Sequence, residues 1–349
     1  MSEVNSYFND FLSNISLSEK QIAELRKGHT ILREKLKKDK NLSEILIESF
    51  LQGSYRRSTA VKPKNGDKSD VDVIVVTNLN HEIVSPKEAL DTFIPFLEEN
   101  YRGKYRMQGR SIGIDLDNIK LDLVPTSAPS EAIKTKKFSR RVLSYETVED
   151  FSEESSINDD DWKTEPLKIP DREKRKWDDT HPLEQIRWTI EKNRKCNKNY
   201  IKVVKALKWW KKEKCPKLKH PKSYPLEHFI GDCCPDGINS VAEGIVYSLE
   251  KIVSEYPRKP FLPDRGVPNH DVFSKVSEEE YNKFYEEVCK AAKIAREAYD
   301  SSDVYESICK WKKLFGDEFP DAPNLTEIST GRFTPRKEQS KPTSSGRFG

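Results

Sequence analysis

The chain has 349 residues, a length that fits about two domains and can bury a sizeable core without disulfide staples. Lys+Arg 61 against Asp+Glu 58 leaves a formal charge of +3, which excludes a histone-like nucleic-acid coater and makes any basic surface a local one. The longest apolar run is only Val73 to Val76, far short of the roughly 20 residues of a membrane helix, so the composition excludes a span. The opening MSEVNSYFNDFLSNISLSEK has acidic residues and no continuous apolar stretch, which predicts no secretory signal. Six cysteines without framework spacing then read as reduced thiols in a cytoplasmic protein.

Residues 17 to 38 carry Ile22, Leu25, His29, Leu32 and Leu36 at helical spacing behind Ser18, which predicts a long amphipathic helix capped by that serine. FLQGSYRRSTA, the β-branched run VDVIVVT, a helix over Pro86 to Tyr101, and SIGIDL and KLDLVPT joined at Asp117 and Asn118 follow. This mixture predicts a mixed sheet with helices on one face. From about 134 to 181 the chain is acidic and irregular and predicts a long surface connector. Residues 183 to 214 predict a helix with Tyr200, Val203, Val204, Leu207 and Trp210 on its buried stripe. SYPLEHFIGDCC, SVAEGIVYSLEKIV and, behind a capping box of Ser277 and Glu280, SEEEYNKFYEEVCKAAKIAREAY make the second half all-helical. After Pro320 the chain is polar and poor in apolar residues, which predicts a disordered tail. The expected class is α+β, with a mixed-sheet core over 1–180, a helical lobe over 181–320 and the tail over 321–349.

The chemistry concentrates in three aspartates. Asp70 and Asp72 are two apart on a predicted strand, so both side chains leave one face. Uncompensated carboxylates beside an apolar ladder are costly unless a cation sits between them. Asp122, framed by Leu121 and Leu123, supplies a third carboxylate from another strand. Three acids from two strands can hold two Mg²⁺ ions, or Mn²⁺ in their place, an arrangement suited to phosphoryl transfer. Upstream, Gly53 lets backbone approach a phosphate, and Ser54 with the following amides can donate hydrogen bonds to it. Each piece alone has an ordinary reading, a turn for Gly-Ser and a solvated strand edge for Asp-x-Asp; their order and spacing carry the signal.

Gly-Ser, fifteen residues, Asp-x-Asp entering a β run, then a lone acid before Val-Pro resembles the nucleotidyltransferases of the DNA polymerase β superfamily. Within it, QGSYRRSTAV, SDVDVIVV, LDLVPT, WDDTHP, and KALKWW followed by KSYPLEHF look like the bacterial CD-NTases. These are the cyclic oligonucleotide synthases of CBASS antiphage systems, relatives of animal cyclic GMP-AMP synthase and oligoadenylate synthase. The resemblance covers residues 17–320. One departure is the connection from Ser54 to Asp70, where KPKNGDK looks long for the pattern and leaves the loop's conformation open.

The resemblance implies a bilobal enzyme with a cleft active site, NTP substrates with ATP among them, and a cyclic di- or trinucleotide product that activates a downstream effector. Asp70, Asp72 and Asp122 would be both catalytic and metal-holding. Lys208 matches the lysine that the family presents to the donor triphosphate. Ser223 opens a helix as its cap and would touch the donor phosphates, while Tyr224 would stack on the donor base. Some members are joined through their C-terminus to other molecules by E1/E2-like partners, and a terminal Gly349 on a flexible arm, preceded by Phe348, fits such conjugation. The eight lysines between Lys205 and Lys222 read as a solvated helix face, with a nucleic-acid activator as the less favoured alternative. His228, Cys233 and Cys234 lack a fourth close ligand for zinc and read as core residues. Two rival functions remain at this stage: transfer to an RNA or protein acceptor, and a catalytically silent nucleotide- or RNA-sensing module. Retention of all three aspartates and Ser54 speaks against the latter.

Overall fold

In a computed structural model, which describes residues 2–64, 66–128, 130, 146–150 and 165–322, strand β2 (Ser69–Thr77) runs through the middle of a seven-stranded mixed sheet. On one side it pairs antiparallel with β1 (Leu46–Gln52). On the other it pairs parallel with β5 (Ile119–Ser127), beyond which lie β4 (Ile112–Asp115) and β3 (Tyr105–Met107). Val71, Val73 and Val75 turn to one face and pack, with Leu121 and Leu123, against Leu25, Leu32 and Leu36 of α2 (Glu19–Lys38). Ile74, Val76 and Val124 turn to the other face and join the core of the helical half. Helices therefore cover both faces, not the one expected, because a continuous β-branched run has no polar face to leave in water.

The cap on α2 is as expected: Ser18 and Gln21 form a reciprocal capping box. The single helix expected over Pro86 to Tyr101 is instead two, α4 (Pro86–Asp91) and α5 (Ile94–Tyr101). Pro95 has no N–H to bond back to Asp91, and its ring disfavours helical geometry at Ile94. The stretch read as a connector ends in an antiparallel pair, β6 (Leu167–Asp171) and β7 (Lys176–Thr180), which joins the sheet where Lys168 pairs with Ser127 of β5. Residues 131–145 and 151–164 of that stretch lie outside the described residues.

The helix expected over 183–214 is divided into α6 (Pro182–Lys195) and α7 (Tyr200–Lys214) by Asn197 and Lys198, both in left-handed geometry at φ 51° and 62°. Next come α8 (Ser223–Cys233) and α9 (Val241–Glu255). The half is not all-helical: β8 (Pro263–Asp264) and β9 (Val267–Asp271) form a small hairpin turning at Gly266, φ 76°. α10 (Glu278–Asp300), behind the expected capping box, and α11 (Val304–Phe315) complete it. α1 (Ser2–Ile15) packs in this half, with Phe8 5.0 Å from the Trp311 ring and Phe11 4.6 Å from Phe315. Among the described residues no helix is long and apolar enough to cross a membrane. Residues 323–349, and with them most of the expected tail and Gly349, lie outside the described residues.

Candidate active site

Parallel pairing sets Asp72 of β2 directly against Asp122 of β5, and strand alternation puts Asp70 on the same face as Asp72. Burial pushes the Asp72 carboxyl up to about 8, and the charges of Asp70 and Asp122 add to that, with only Arg57 opposing. Asp122 is raised for the same reasons, burial first and then Asp70. Gln108 holds it in place, Nε2 donating to Oδ1 at 3.0 Å. Among the described residues no three acidic, His or Cys side chains are drawn in around one point. The three carboxylates are repelling neighbours on adjoining strands.

β1 delivers Gly53 to this group. The glycine takes φ 81°, and a Cβ there would lie 1.7 Å from Asp72 Oδ2, so the backbone can turn beside the carboxylate only without a side chain. Gly53 opens the single turn α3 (Gly53–Arg56), whose first amide donates to Gln52 Oε1 at 2.6 Å. Above the turn lies a cleft of about 920 Å³ between sheet and helices, lined by Gly53, Ser54, Asp70, Asp72, Lys208, Ser223 and Tyr224. Asp122 lines an adjoining cavity of about 630 Å³, which shares Asp70 and Lys212 with the cleft. All eight cleft residues expected from the sequence are thus brought to one connected space.

Two of them differ in detail from expectation. Lys208 is buried, and its ammonium does not project into the cleft: it donates to Thr59 O at 2.8 Å and lies 3.9 Å from Glu227 Oε2. Burial lowers its pKa to about 8, with Glu227 opposing. Glu227 in turn accepts from Arg57 Nε at 2.6 Å and Thr59 Oγ1 at 2.7 Å. Ser223 is the first residue inside α8 and not its cap; Lys222 holds the extended cap position, and no side chain caps the terminus. Tyr224 lies with its ring 5.1 Å from the Arg57 guanidinium, and its hydroxyl donates to Asp264. Cys233, Cys234 and His228 are buried in the helical half, with His228 Nδ1 3.4 Å from Asp232.

Sequence reasoning passed over Gln52, Arg57, Gln185, Glu227 and Asp264, all within this site. The available signal was an isolated charge inside an apolar helix face, as at Glu227 between Leu226 and Phe229.

Residues 1–140 match the family model described as Second Messenger Oligonucleotide or Dinucleotide Synthetase domain. The cyclic AMP-AMP-GMP synthase of Enterobacter hormaechei subsp. hoffmannii (strain UCI 50) is 41% identical over 379 aligned positions, spanning 99% of this chain and 100% of that protein. The chain is a bacterial CD-NTase. The cyclic AMP-AMP-AMP synthase of an Acinetobacter species is a more distant relative, 29% identical over 90% of this chain and 84% of its own. Among solved structures, the Bradyrhizobium diazoefficiens CD-NTase CdnG in complex with GTP has a TM-score of 0.67 at 13% identity, covering 89% of this chain and 95% of that one. The Escherichia coli MS115-1 CdnC with ATP has a TM-score of 0.66 at 16% identity, covering 90% and 98%. This CD-NTase therefore shares their polymerase β-like fold and is an enzyme, a nucleotidyltransferase that synthesises cyclic oligonucleotides.

Proposed function

We propose that this CD-NTase joins ATP and GTP into a cyclic trinucleotide, cyclic AMP-AMP-GMP being the product named for its 41% identical relative. The observation that carries the catalytic reading is the register of Asp72 against Asp122 with Gly53 seated on Asp72 at the floor of a cleft. The donor set fits divalent cations: three carboxylates stand on adjoining strands, burial and the charge of Asp70 raise Asp72 and Asp122, and among the described residues neither Asp70 nor Asp72 has an ion pair to a basic side chain. The chemistry that Mg²⁺ or Mn²⁺ would supply to Asp70, Asp72 and Asp122 is charge neutralisation at the acceptor hydroxyl and the departing pyrophosphate.

The remaining roles belong to the chain itself. Gly53 and Ser54 receive the donor phosphates beside the open terminus of α8 at Ser223. Tyr224 presents an aromatic face to the donor base. Lys208, through Glu227 and the Thr59 carbonyl, holds the helical lobe against the Gly-Ser turn and acts on the triphosphate indirectly. Asp122, oriented by Gln108, faces the adjoining cavity, where its carboxylate takes the proton of an acceptor hydroxyl. That oxygen bonds to the α-phosphorus, the bond to the bridging oxygen breaks, and pyrophosphate leaves; a last transfer within the linear product closes the ring. The reading divides the chain into a nucleotidyltransferase core and a helical lobe, with α1 counted in the latter.

The decisive experiment incubates purified protein with ATP, GTP and Mg²⁺ in the absence of nucleic acid. The expected product resists alkaline phosphatase and has the mass of a cyclic trinucleotide. A linear polymer, or turnover only when RNA or a protein acceptor is added, would overturn the reading. In the cell the product activates an effector in antiphage defence, and removing the last four residues, Gly346 to Gly349, abolishes conjugates made by E1/E2-like partners without changing turnover. Loss of phage protection on Asp72→Asn, and conjugates that disappear on truncation, are the corresponding tests.

A further inference from the structure

A continuous polar chain runs along the cleft wall from the helical half to the Gly-Ser turn, and its middle members, Gln185 and Gln52, have no part in the chemistry above. At one end Asp264, on β8, accepts from the Tyr224 hydroxyl and from Arg265 N at 2.7 Å. It also accepts from Gln185 Nε2 at 3.3 and 3.4 Å. Gln185, buried on α6, accepts at Oε1 from Gln52 Nε2 at 2.5 Å. Gln52 then accepts at Oε1 from Gly53 N at 2.6 Å. Gln52, Gln185, Tyr224 and Asp264 all line the same cleft.

The direction of this chain is not free. An ionised carboxylate only accepts, so Gln185 must turn its NH₂ toward Asp264 and its oxygen toward Gln52. Gln52 must then give its NH₂ to Gln185 and its oxygen to Gly53. One charge on the helical lobe thus dictates, through two amides, that the Gly53 amide has an acceptor. The same carboxylate holds the Tyr224 hydroxyl. Both ends of a bound donor nucleotide, base and phosphates, meet groups fixed by one residue.

We propose that Asp264 is a positioning residue that locks the Gly-Ser turn and the Tyr224 ring into one register, so that Gly53 keeps its seat on Asp72. The inference rests on the catalytic reading above. Asp264→Asn retains an oxygen for Tyr224 but presents an NH₂ to Gln185, and the flip propagates until a donor faces the Gly53 amide. Gln185→Glu sets a second carboxylate against Asp264. Combined, the two changes restore every bond: the amide introduced on β8 donates to the carboxylate introduced on α6, that carboxylate accepts from Gln52, and Gln52 again accepts from Gly53.

The test is a double-mutant cycle on the full chain, with pyrophosphate release measured against ATP and GTP concentration. Each single variant is expected to lower kcat about 10-fold with KM changed less than about twofold, since the bonds lost orient the turn more than they bind substrate. The double variant is expected to recover to within about threefold of wild type. Losses that multiply in the double variant would overturn the relay, because a packing role has no reason to be rescued. Should Asp264→Asn not fold, Gln185→Met removes the two middle bonds without adding charge, and an unchanged kcat there would equally overturn it. Asp70→Asn, run alongside, separates the two claims: surviving turnover in that variant sinks the catalytic reading, whereas its loss with no rescue in the cycle sinks only the relay.

Discussion

A methyl group at position 53 would meet Asp72 Oδ2 at 1.7 Å, on a backbone held at φ 81°. Gly53→Ala must move either the turn or the carboxylate, and displacements near 1 Å at reacting groups cost about 100-fold in rate, so kcat should fall by at least that much with far-UV circular dichroism unchanged. A near-normal rate would mean that Asp72 works from another position. Asp72→Asn and Asp122→Asn should abolish turnover, whereas Asp117→Asn, at the hairpin turn, should be mild; equal loss at Asp117 would contradict the strand register. Lys208 carries a pH signature. It titrates at about 8 in the fold against 10.5 ordinarily, so between those values the unfolded chain holds the extra proton and the stability tied to Lys208 rises with pH. Lys208→Met should remove that rise, read as the difference in urea-unfolding free energy between wild type and variant from pH 8 to 10.5; parallel curves would place the ammonium in solvent. That the aspartates and the Gly-Ser turn come together was legible in the sequence because they stand at short spacing on and beside neighbouring strands. Glu227 and Gln185 were not, since their partners Arg57 and Gln52 lie 170 and 133 residues away.

Elements were legible where periodicity was long and the ends were marked. α2 and α10 carry capping boxes that announce their first turns. The β6–β7 pair was hidden because charged residues and Pro170 obscure a short alternation, and because its anchor on β5 is one residue pair, Ser127 with Lys168. α1 is amphipathic in its own right, but the aromatic rings that receive Phe8 and Phe11 stand at the far end of the chain, on Trp311, Phe315 and Phe319. The break between α6 and α7 was invisible for another reason: neither Gly nor Pro marks it, and Asn197 and Lys198 adopt left-handed geometry at some cost. Lys198→Gly should stabilise the fold by about 0.5 to 1 kcal/mol, the left-handed penalty less the entropy that glycine adds to the unfolded chain, as measured by urea denaturation. A loss of stability would mean that contacts of the Lys198 side chain outweigh its backbone strain.

In the reading proposed above the whole molecule divides into two lobes that meet at the cleft, and a buried charge cluster crosses from the sheet to the helical half. Arg57 follows the Gly-Ser turn on the sheet side, while Glu227 stands on α8; their side chains are 4% exposed and joined at 2.6 Å. Arg57 and Lys208 together hold the Glu227 carboxyl below the usual carboxylate range despite its burial. This contribution to stability is fully present above pH 4.5 and is lost as pH falls through the depressed value, so acid should loosen the lobes from each other. Breaking the pair and replacing it are different experiments. Glu227→Gln leaves the buried Arg57 guanidinium uncompensated and should cost about 3 to 5 kcal/mol of unfolding free energy. Arg57→Met with Glu227→Leu removes both desolvated charges and leaves only Lys208, which already titrates near neutrality at about 8 and can shed its proton at little cost. The double variant should therefore be more stable than the single one, although it has lost more native hydrogen bonds. Urea denaturation of the two variants side by side decides the matter. Greater loss in the double variant would mean that the bonds themselves, not the removal of two charges from water, dominate the contact between the lobes.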